Sequence, residues 1–460
     1  MKQLVTFWTM FLTLTSITAN GQTGKITAIV GATVIDGTGR APINDAVILI
    51  EGTRISRVGP RSKTRIPQTA VTIDGRGKYV IPGLADMHNH LGEGTFTIGL
   101  GGAAVRPGET PPDFKTNLRR LLGWGFTLVF DPGLPSLDSL AELKRVSEPD
   151  TSAYPHFFST GPQFGAKGGH GANGGYTPDQ PEDARAAVRQ LKSAGVDAVK
   201  FMYTDLIYVT KQPRPMLKPE VMEAIIDEAH KQGLKVYVHA PVLKYAKATL
   251  RSGADGMAHA ILSDPVDAEF IMLMKKNHAA YITTHAIFEA VANIGSWARR
   301  ESTFDEIGLI PKQVYQVGMS PETVNQWESR WDNLSYMRER LPVMRSNLRR
   351  VWDAGILVVA GSDTGNSGAG VLLGLASQLE LQLLVESGLT TQEVLRAATL
   401  NAAKMVGRDK DLGTIERGKL ADLLILDADP LSDIGNVRRI YRIIKGGAVY
   451  EQSALLHEPH

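Results

Sequence analysis

Five side chains of this 460-residue chain have the types and spacing of a metal site: His88, His90, His239, His259 and Asp363. His88 and His90 are two residues apart. In a β-strand such residues face the same side, so both imidazoles can meet one divalent ion. His239, His259 and Asp363 each close an apolar run, in VYVHA, DGMAHA and VVAGSD. Of 11 histidines, these four fall at strand ends, whereas His230 and His278 fall in helical and loop segments. A lone histidine at a strand end is more often a hydrogen-bonded structural residue than a ligand. A His-x-His pair with matching residues at three later strand ends is poorly explained that way. Asp363, in GSDTG, has the plain alternative of capping a turn. The chain has no cysteine, which excludes thiolate ligands and cysteine nucleophiles.

Lys200 stands near the end of another apolar run, DAVKFMY. A single lysine there would ordinarily snorkel to solvent. Its apolar neighbours favour an inward, desolvated amine instead. A neutral amine that captures carbon dioxide becomes a carbamate, an anion able to bridge two metals.

Strands must carry these residues to one rim. Eight candidates are present: VIPGLADMHNH, FTLVFDPG, HFFSTG, DAVKFMY, KVYVHA, ADGMAHA, AYITTH and ILVVAGSD. Between them lie helical stretches such as PEDARAAVRQLKSAG and PEVMEAIIDEAHKQG, with apolar residues at three-to-four spacing and a closing glycine. Eight such units predict an α/β fold, a (β/α)8 TIM barrel, whose active site lies at the C-terminal ends of the strands. A doubly wound open sheet is the alternative, but no glycine-rich dinucleotide fingerprint follows the first strand.

Short alternating strands precede the barrel and return after it, in GTIERGKLADLLILDADP and RRIYRIIKGGAVYE. They predict a small composite β-sandwich domain built from both ends of the chain. The expected division is a signal peptide at 1–21, β-sandwich at 22–80, barrel at 81–408 and β-sandwich again at 409–453. The leader has one lysine, an apolar run interrupted by threonines, and small residues at Ala19-Asn20-Gly21. It reads as a cleaved export signal, placing the protein in the periplasm or outside the cell, with no membrane attachment after cleavage. The net charge of +2 gives no electrostatic case for nucleic acid.

With these motifs together, the chain resembles the amidohydrolase superfamily, in its imidazolonepropionase-like and Xaa-Pro dipeptidase-like branch. The resemblance spans nearly all of the mature chain. It rests on VIPGLADMHNHLG, DAVKFMY, VYVHA, DGMAHA, VVAGSDTG and ATLNAAKMVG…LGTIERGKLADLLILDADP. It implies that His88, His90 and Asp363 hold the more buried of two divalent metals and His239 and His259 the more exposed one. Lys200, carrying a carbamate derived from CO2, would bridge them. Zinc suits such donors, with manganese, cobalt or iron as substitutes. Imidazolonepropionases use one metal and lack this lysine, so that activity is the less favoured.

The implied reaction is hydrolysis of an amide or peptide bond in a small-molecule or dipeptide-like substrate, such as a dipeptide or an N-acyl amino acid. Asp363 would move the proton from water to the leaving amine. A lactonase, cyclic amidase or phosphoesterase on the same scaffold is an alternative, and so is a non-catalytic periplasmic metal-binding protein. Relatives often assemble, which makes a homo-oligomer an open expectation. His170, in GAKGGHGANGG, matches a substrate-facing loop histidine of the family, or belongs to a surface loop. Tyr237 shares the inward face with His239 and is a candidate oxyanion donor, or an ordinary core aromatic. His285 follows the seventh strand and either lines the pocket or bonds a loop. Gln378 stands where relatives often carry histidine. The excursion at 296–341, with Trp297, Trp327 and Trp331, reads as a lid or as packed amphipathic helices.

Overall fold

The computed structural model describes residues 26–91, 114–150, 153–172, 175–305, 308, 310, 312–365 and 370–456. The expected signal peptide at 1–21 lies outside the described residues. The chain starts with five strands, β1 (Ile26–Val34), β2 (Ile43–Glu51), β3 (Arg54–Pro60), β4 (Val71–Asp74) and β5 (Tyr79–Pro82). Eight follow in the centre: β6 (Leu84–Asp86), β7 (Phe126–Asp131), β8 (His156–Ser159), β9 (Ala198–Met202), β10 (Lys235–His239), β11 (Gly256–Met257), β12 (Ala280–Ile282) and β13 (Leu357–Val359). Three close the chain: β14 (Leu423–Leu426), β15 (Ile440–Lys445) and β16 (Ala448–Tyr450).

The central eight coincide with the eight apolar runs of the sequence. They form two parallel sheets, β6-β7-β8 and β9 to β13, which hydrogen bonds join at two seams. At one seam, the Phe164 amide donates to the Lys200 carbonyl at 2.9 Å and the Met202 amide to the Phe164 carbonyl at 2.8 Å. At the other, Met87 donates to Ala360 at 2.9 Å, Asp363 to His88 at 2.7 Å and His90 to Thr364 at 2.8 Å. The ring is therefore closed, which distinguishes it from a doubly wound open sheet. Strand alternation sorts its side chains. Val236 and Val238 of β10 pack outward among the helices, while Tyr237 joins the barrel interior with Ala85, Phe130, Ala198 and Val359.

The surrounding helices follow the sequence pattern. Helices Pro181–Ser193 and Pro219–Lys231 start with proline in the first turn, where its missing N–H is no loss, and each is followed by a glycine at positive φ, Gly195 and Gly233. The 296–341 region contributes packed helices: Ile294–Phe304, Lys312–Met319, Pro321–Arg330 and the start of Leu334–Asp353. Trp297 and Trp327 are core residues, their indole N–H groups donating to the carbonyls of Gly370 and Val291.

The terminal strands make one mixed eight-stranded sheet, ordered β16-β15-β14-β5-β1-β2-β3, with β4 on β1. The C-terminal β14 pairs antiparallel with the N-terminal β5, so both ends of the chain complete one unit. Gly83 is the crossover from this sheet to the barrel. A β-carbon there would lie 2.1 Å from the Thr127 hydroxyl, so only glycine lets the two sheets approach.

A buried charged cluster couples this unit to the barrel. Lys445 of β15 is fully buried and its ammonium donates to the Asp150 carbonyl at 2.9 Å. It lies 3.1 Å from His156 Nε2 and 3.6 Å from Asp422. Asp422 is 2.8 Å from His156 Nε2 and accepts the Gly446 amide at 2.7 Å. Burial pushes the Asp422 carboxyl up, but Lys445 and His156 more than offset this and hold it below its ordinary value. Removing one member leaves an uncompensated buried charge, worth about 3–5 kcal/mol. Asp422→Asn is therefore expected to lower the urea midpoint of unfolding while leaving bound metal unchanged, measured by denaturation and metal analysis on the same sample. An unaltered midpoint would show that the cluster does not hold the two units together.

Candidate metal centre

His88 and His90 leave β6 together, and Asp363 arrives beside them from the turn after β13. The backbone of Asp363 sits at φ 60°, a left-handed conformation that aspartate tolerates better than most residues. Gly365 follows at φ 85°, and a β-carbon there would lie 1.9 Å from the His90 carbonyl. The turn can thus fold flat against the His-x-His segment. His88, His90 and Asp363 each bring a ligand atom within 4.8 Å of the others. His90 Nε2 is 3.0 Å and His88 Nε2 3.5 Å from Asp363 Oδ1.

Beyond this trio the imidazoles form a row. Ring centroids are 5.3 Å apart for His90 and His88, 4.5 Å for His88 and His259, 4.3 Å for His259 and His239, and 4.5 Å for His239 and His170. Lys200 reaches the middle of the row. It is 1% exposed, and its Nζ is 3.0 Å from His88 Nε2. Seven of the eight side chains expected at the site, all but Tyr237, meet in one cluster.

Three of the imidazoles are oriented from behind. His88 Nδ1 donates to the Ala258 carbonyl at 2.7 Å, leaving Nε2 facing the cluster. His259 Nδ1 pairs with the Thr284 hydroxyl at 2.9 Å. The buried Asp131 lies 3.6 Å from His90 Nδ1 and is fixed by the amides of Leu91 and Gly133. Asp86 accepts the His88 amide, the Ser362 amide and the hydroxyls of Ser362 and Ser377, pinning the first strand to the turn that carries Asp363.

Burial drives His88, His239 and His259 well below the ordinary histidine value, which leaves them as neutral donors. It also lowers His170 to about 4. For His90 burial is outweighed by Asp131 and Asp363, which lift it to about 10. Asp363 is likewise pushed up by burial, but His90 and the other cationic neighbours hold it well below the usual carboxylate range. Burial lowers Lys200 to about 8 against the pull of Asp363 and Asp131. Asp363 Oδ1 is buried without a hydrogen-bond partner. A buried carboxylate beside His90, with the neutral Nε2 of His88 3.5 Å away, is a donor set that fits a divalent cation.

Tyr237 takes its other expected place, as a core aromatic. Its ring packs 5.5 Å from that of Phe130 and against Gly256, in the apolar layer beneath the cluster. The phenol at the site is Tyr208, whose hydroxyl is 2.9 Å from His239 Nε2. It lies in the loop after β9, and its spacing carries no periodic signal. Asp131 could have been found in the sequence, because it ends the run FTLVFD as Asp363 ends its own. His285 is directed away, its Nδ1 3.1 Å from the Ser387 hydroxyl. Gln378 donates to the Trp124 carbonyl, a structural contact.

A closed (β/α)8 barrel with histidines and aspartate at its C-terminal rim defines a metal-binding hydrolase of the TIM-barrel class. Residues 79–449 match the model of the amidohydrolase family, and the chain belongs to that family. It is a hydrolase of carbon–nitrogen bonds, which displaces the non-catalytic alternative. Ochratoxinase of Aspergillus niger is 24% identical over 486 residues, covering 95% of this chain and 88% of that enzyme. Imidazolonepropionase of Shouchella clausii is 34% identical over 116 residues, a quarter of each chain (25% and 26%). In fold, the chain is similar to a Xaa-Pro dipeptidase crystallised with methionine in its active site, with TM-score 0.72, 24% identity and coverage of 93% and 100%.

The two tyrosines should separate in solution. Tyr208→Phe is expected to lower kcat/KM for amide hydrolysis on the order of 10- to 100-fold, the usual scale for a group contacting a ligand. Tyr237→Phe should stay within about twofold, since a buried phenol in an apolar layer touches no reacting group. The reverse order in steady-state kinetics would return the catalytic role to Tyr237.

Proposed function

We propose that the protein is an exported amidohydrolase that cleaves the amide bond of a dipeptide or N-acyl amino acid with two divalent metals, zinc for preference. The observation that carries this reading is Lys200, a fully buried amine 3.0 Å from His88 Nε2 with imidazoles on either side. With a value near 8, roughly a tenth of such an amine is neutral at pH 7, and only the neutral form attacks carbon dioxide. The new N–C bond gives a carbamate and releases one proton. An anion at this point would serve His88, His90 and Asp363 on one side and His239 and His259 on the other. All-imidazole and carboxylate donors favour zinc, with manganese, cobalt or iron able to substitute.

Bound metals of this kind would lower the pKa of water toward neutral and polarise a carbonyl. Asp363 would take the water's proton on its carboxylate and return it to the leaving nitrogen, so that an acid and an amine result. Tyr208, on His239, is placed to donate to the carbonyl oxygen as it gains charge. His170, its ring 4.5 Å from that of His239, would meet the substrate beside it. The names of the relatives agree with this chemistry, since a Xaa-Pro dipeptidase and an ochratoxinase are among them. Export is supported by the leader, in which Lys2 precedes an apolar run and small residues follow.

Purified protein is expected to hold two metals per chain by elemental analysis and to cleave members of a dipeptide and N-acyl amino acid panel. Lys200→Ala should lose one metal and most activity, with partial recovery in acetate or formate. Full metal content in that variant would end the bridging role. Two metals with no turnover across amides would end the proposed activity.

A further inference from the structure

The helix His285–Ala292 begins without the cap its sequence offers. Thr284 precedes it, and a threonine there ordinarily accepts an N–H of the first turn through its side-chain oxygen. Thr284 makes no such bond. Its hydroxyl lies 2.9 Å from His259 Nδ1 instead. Its backbone is at φ 46°, a left-handed conformation that is an outlier for a β-branched residue. A residue persists in that state only where its surroundings hold it there.

Glu380, from helix Leu375–Glu386, supplies the missing cap. Its Oε1 accepts the His285 amide at 3.0 Å and the Thr283 hydroxyl at 2.6 Å, and its Oε2 accepts the Ala286 amide at 2.7 Å. The side chain is 1% exposed. Burial pushes the Glu380 carboxyl up to about 8, and the bonds to Thr283, His285 and Ala286 offset this only in part. The same segment is tied to its neighbours, with the Thr284 amide donating to Gly361 at 2.8 Å and the Ala260 amide to Thr283 at 3.2 Å. Glu380 thus holds Thr283, His285 and Ala286 on either side of Thr284, whose hydroxyl is turned to His259.

We propose that Glu380 is a positioning residue for the more exposed metal position. By capping the helix in place of Thr284, it frees the Thr284 hydroxyl to hold His259 Nδ1, which leaves the other ring nitrogen for ligation. Glu380 itself touches neither metal nor substrate. The inference rests on the two-metal reading above.

Cobalt titration of the metal-free full-length protein, followed by visible absorption with a competing chelator, measures the affinity of each position without reference to activity. In Glu380→Ala the weaker step should fall on the order of 10- to 100-fold, the scale for loss of an outer partner of a metal ligand, while the tighter step moves little. Glu380→Gln keeps one acceptor oxygen and should fall between. Thr284→Val keeps the branched shape, removes only the hydroxyl and should weaken the same step. It decides the matter if Glu380→Ala does not fold. A wild-type protein that takes up a single ion would overturn the two-metal reading and this inference with it. Two wild-type steps that Glu380→Ala and Thr284→Val leave unchanged, or weaken equally at both positions, would overturn this inference alone.

Discussion

The arrangement depends first on the seam between the first and last barrel strands. The Asp363 amide donates to the His88 carbonyl at 2.7 Å and the His90 amide to Thr364 at 2.8 Å. These bonds close the ring at this seam, and three of their residues, His88, His90 and Asp363, form the candidate metal site. Closure and ligand placement are therefore one event. A barrel open at this edge would leave Asp363 on a free turn and His88 and His90 on an exposed strand end. Asp86 reinforces the seam from below, since its two oxygens accept from His88, Ser362 and Ser377. Burial outweighs the bonds to Ser362, Ser377 and His88 and lifts its carboxyl to about 6.

Once the seam is made, the remaining problem is electrostatic. A row of imidazoles with a lysine in its midst is repulsive if charged, and burial resolves this by keeping His88, His239 and His259 neutral. The exception, His90, is the ring that faces two carboxylates. Neutral nitrogens and a buried carboxylate are poor company for each other but good company for a cation. The same logic governs the layer behind them, where Ala258, Thr284 and Asp131 each take the nitrogen that is not turned inward. An imidazole with one nitrogen so engaged presents the other in a fixed direction, and this limits the geometries a bound ion can adopt.

The sequence carried much of this arrangement because strand ends in a parallel barrel share one rim. That rule brings His88, His90, His239, His259, Asp363 and Lys200 together without knowledge of any loop. It also exposes Asp131 to anyone who applies it to FTLVFD. It fails for Tyr237, where facing inward and reaching the rim are different properties. Two residues along a strand is about 6–7 Å, enough to put Tyr237 in the layer below His239. Tyr208 and Thr284 were hidden for another reason. Their roles come from loop and helix-start conformations that obey no period, and Thr284 acts against its own capping tendency.

The same distinction explains why the helices beyond β12 matter to the site without forming part of the metal cluster. Tyr208 stands in a loop that lacks regular structure, which by itself would hold a phenol poorly. The 296–341 region braces that loop, with the Asn333 amide donating to Val209 at 3.1 Å, its side chain to Ile207 at 2.6 Å and the Lys211 amide to Asp332 at 2.7 Å. Helix Leu334–Asp353, which begins in that region, grips helix His285–Ala292 through Arg345 on Glu289 and Arg338 on the Ala292 carbonyl. That helix carries Phe288, whose ring lies 6.3 Å from Tyr208 and 5.9 Å from His259. A region that reads in sequence as a lid or as packed amphipathic helices is thus a brace for the loop of Tyr208 and the helix of Phe288. The candidate metal site is set by barrel closure and the side of Tyr208 by these helices, so the second can vary while the first stays fixed.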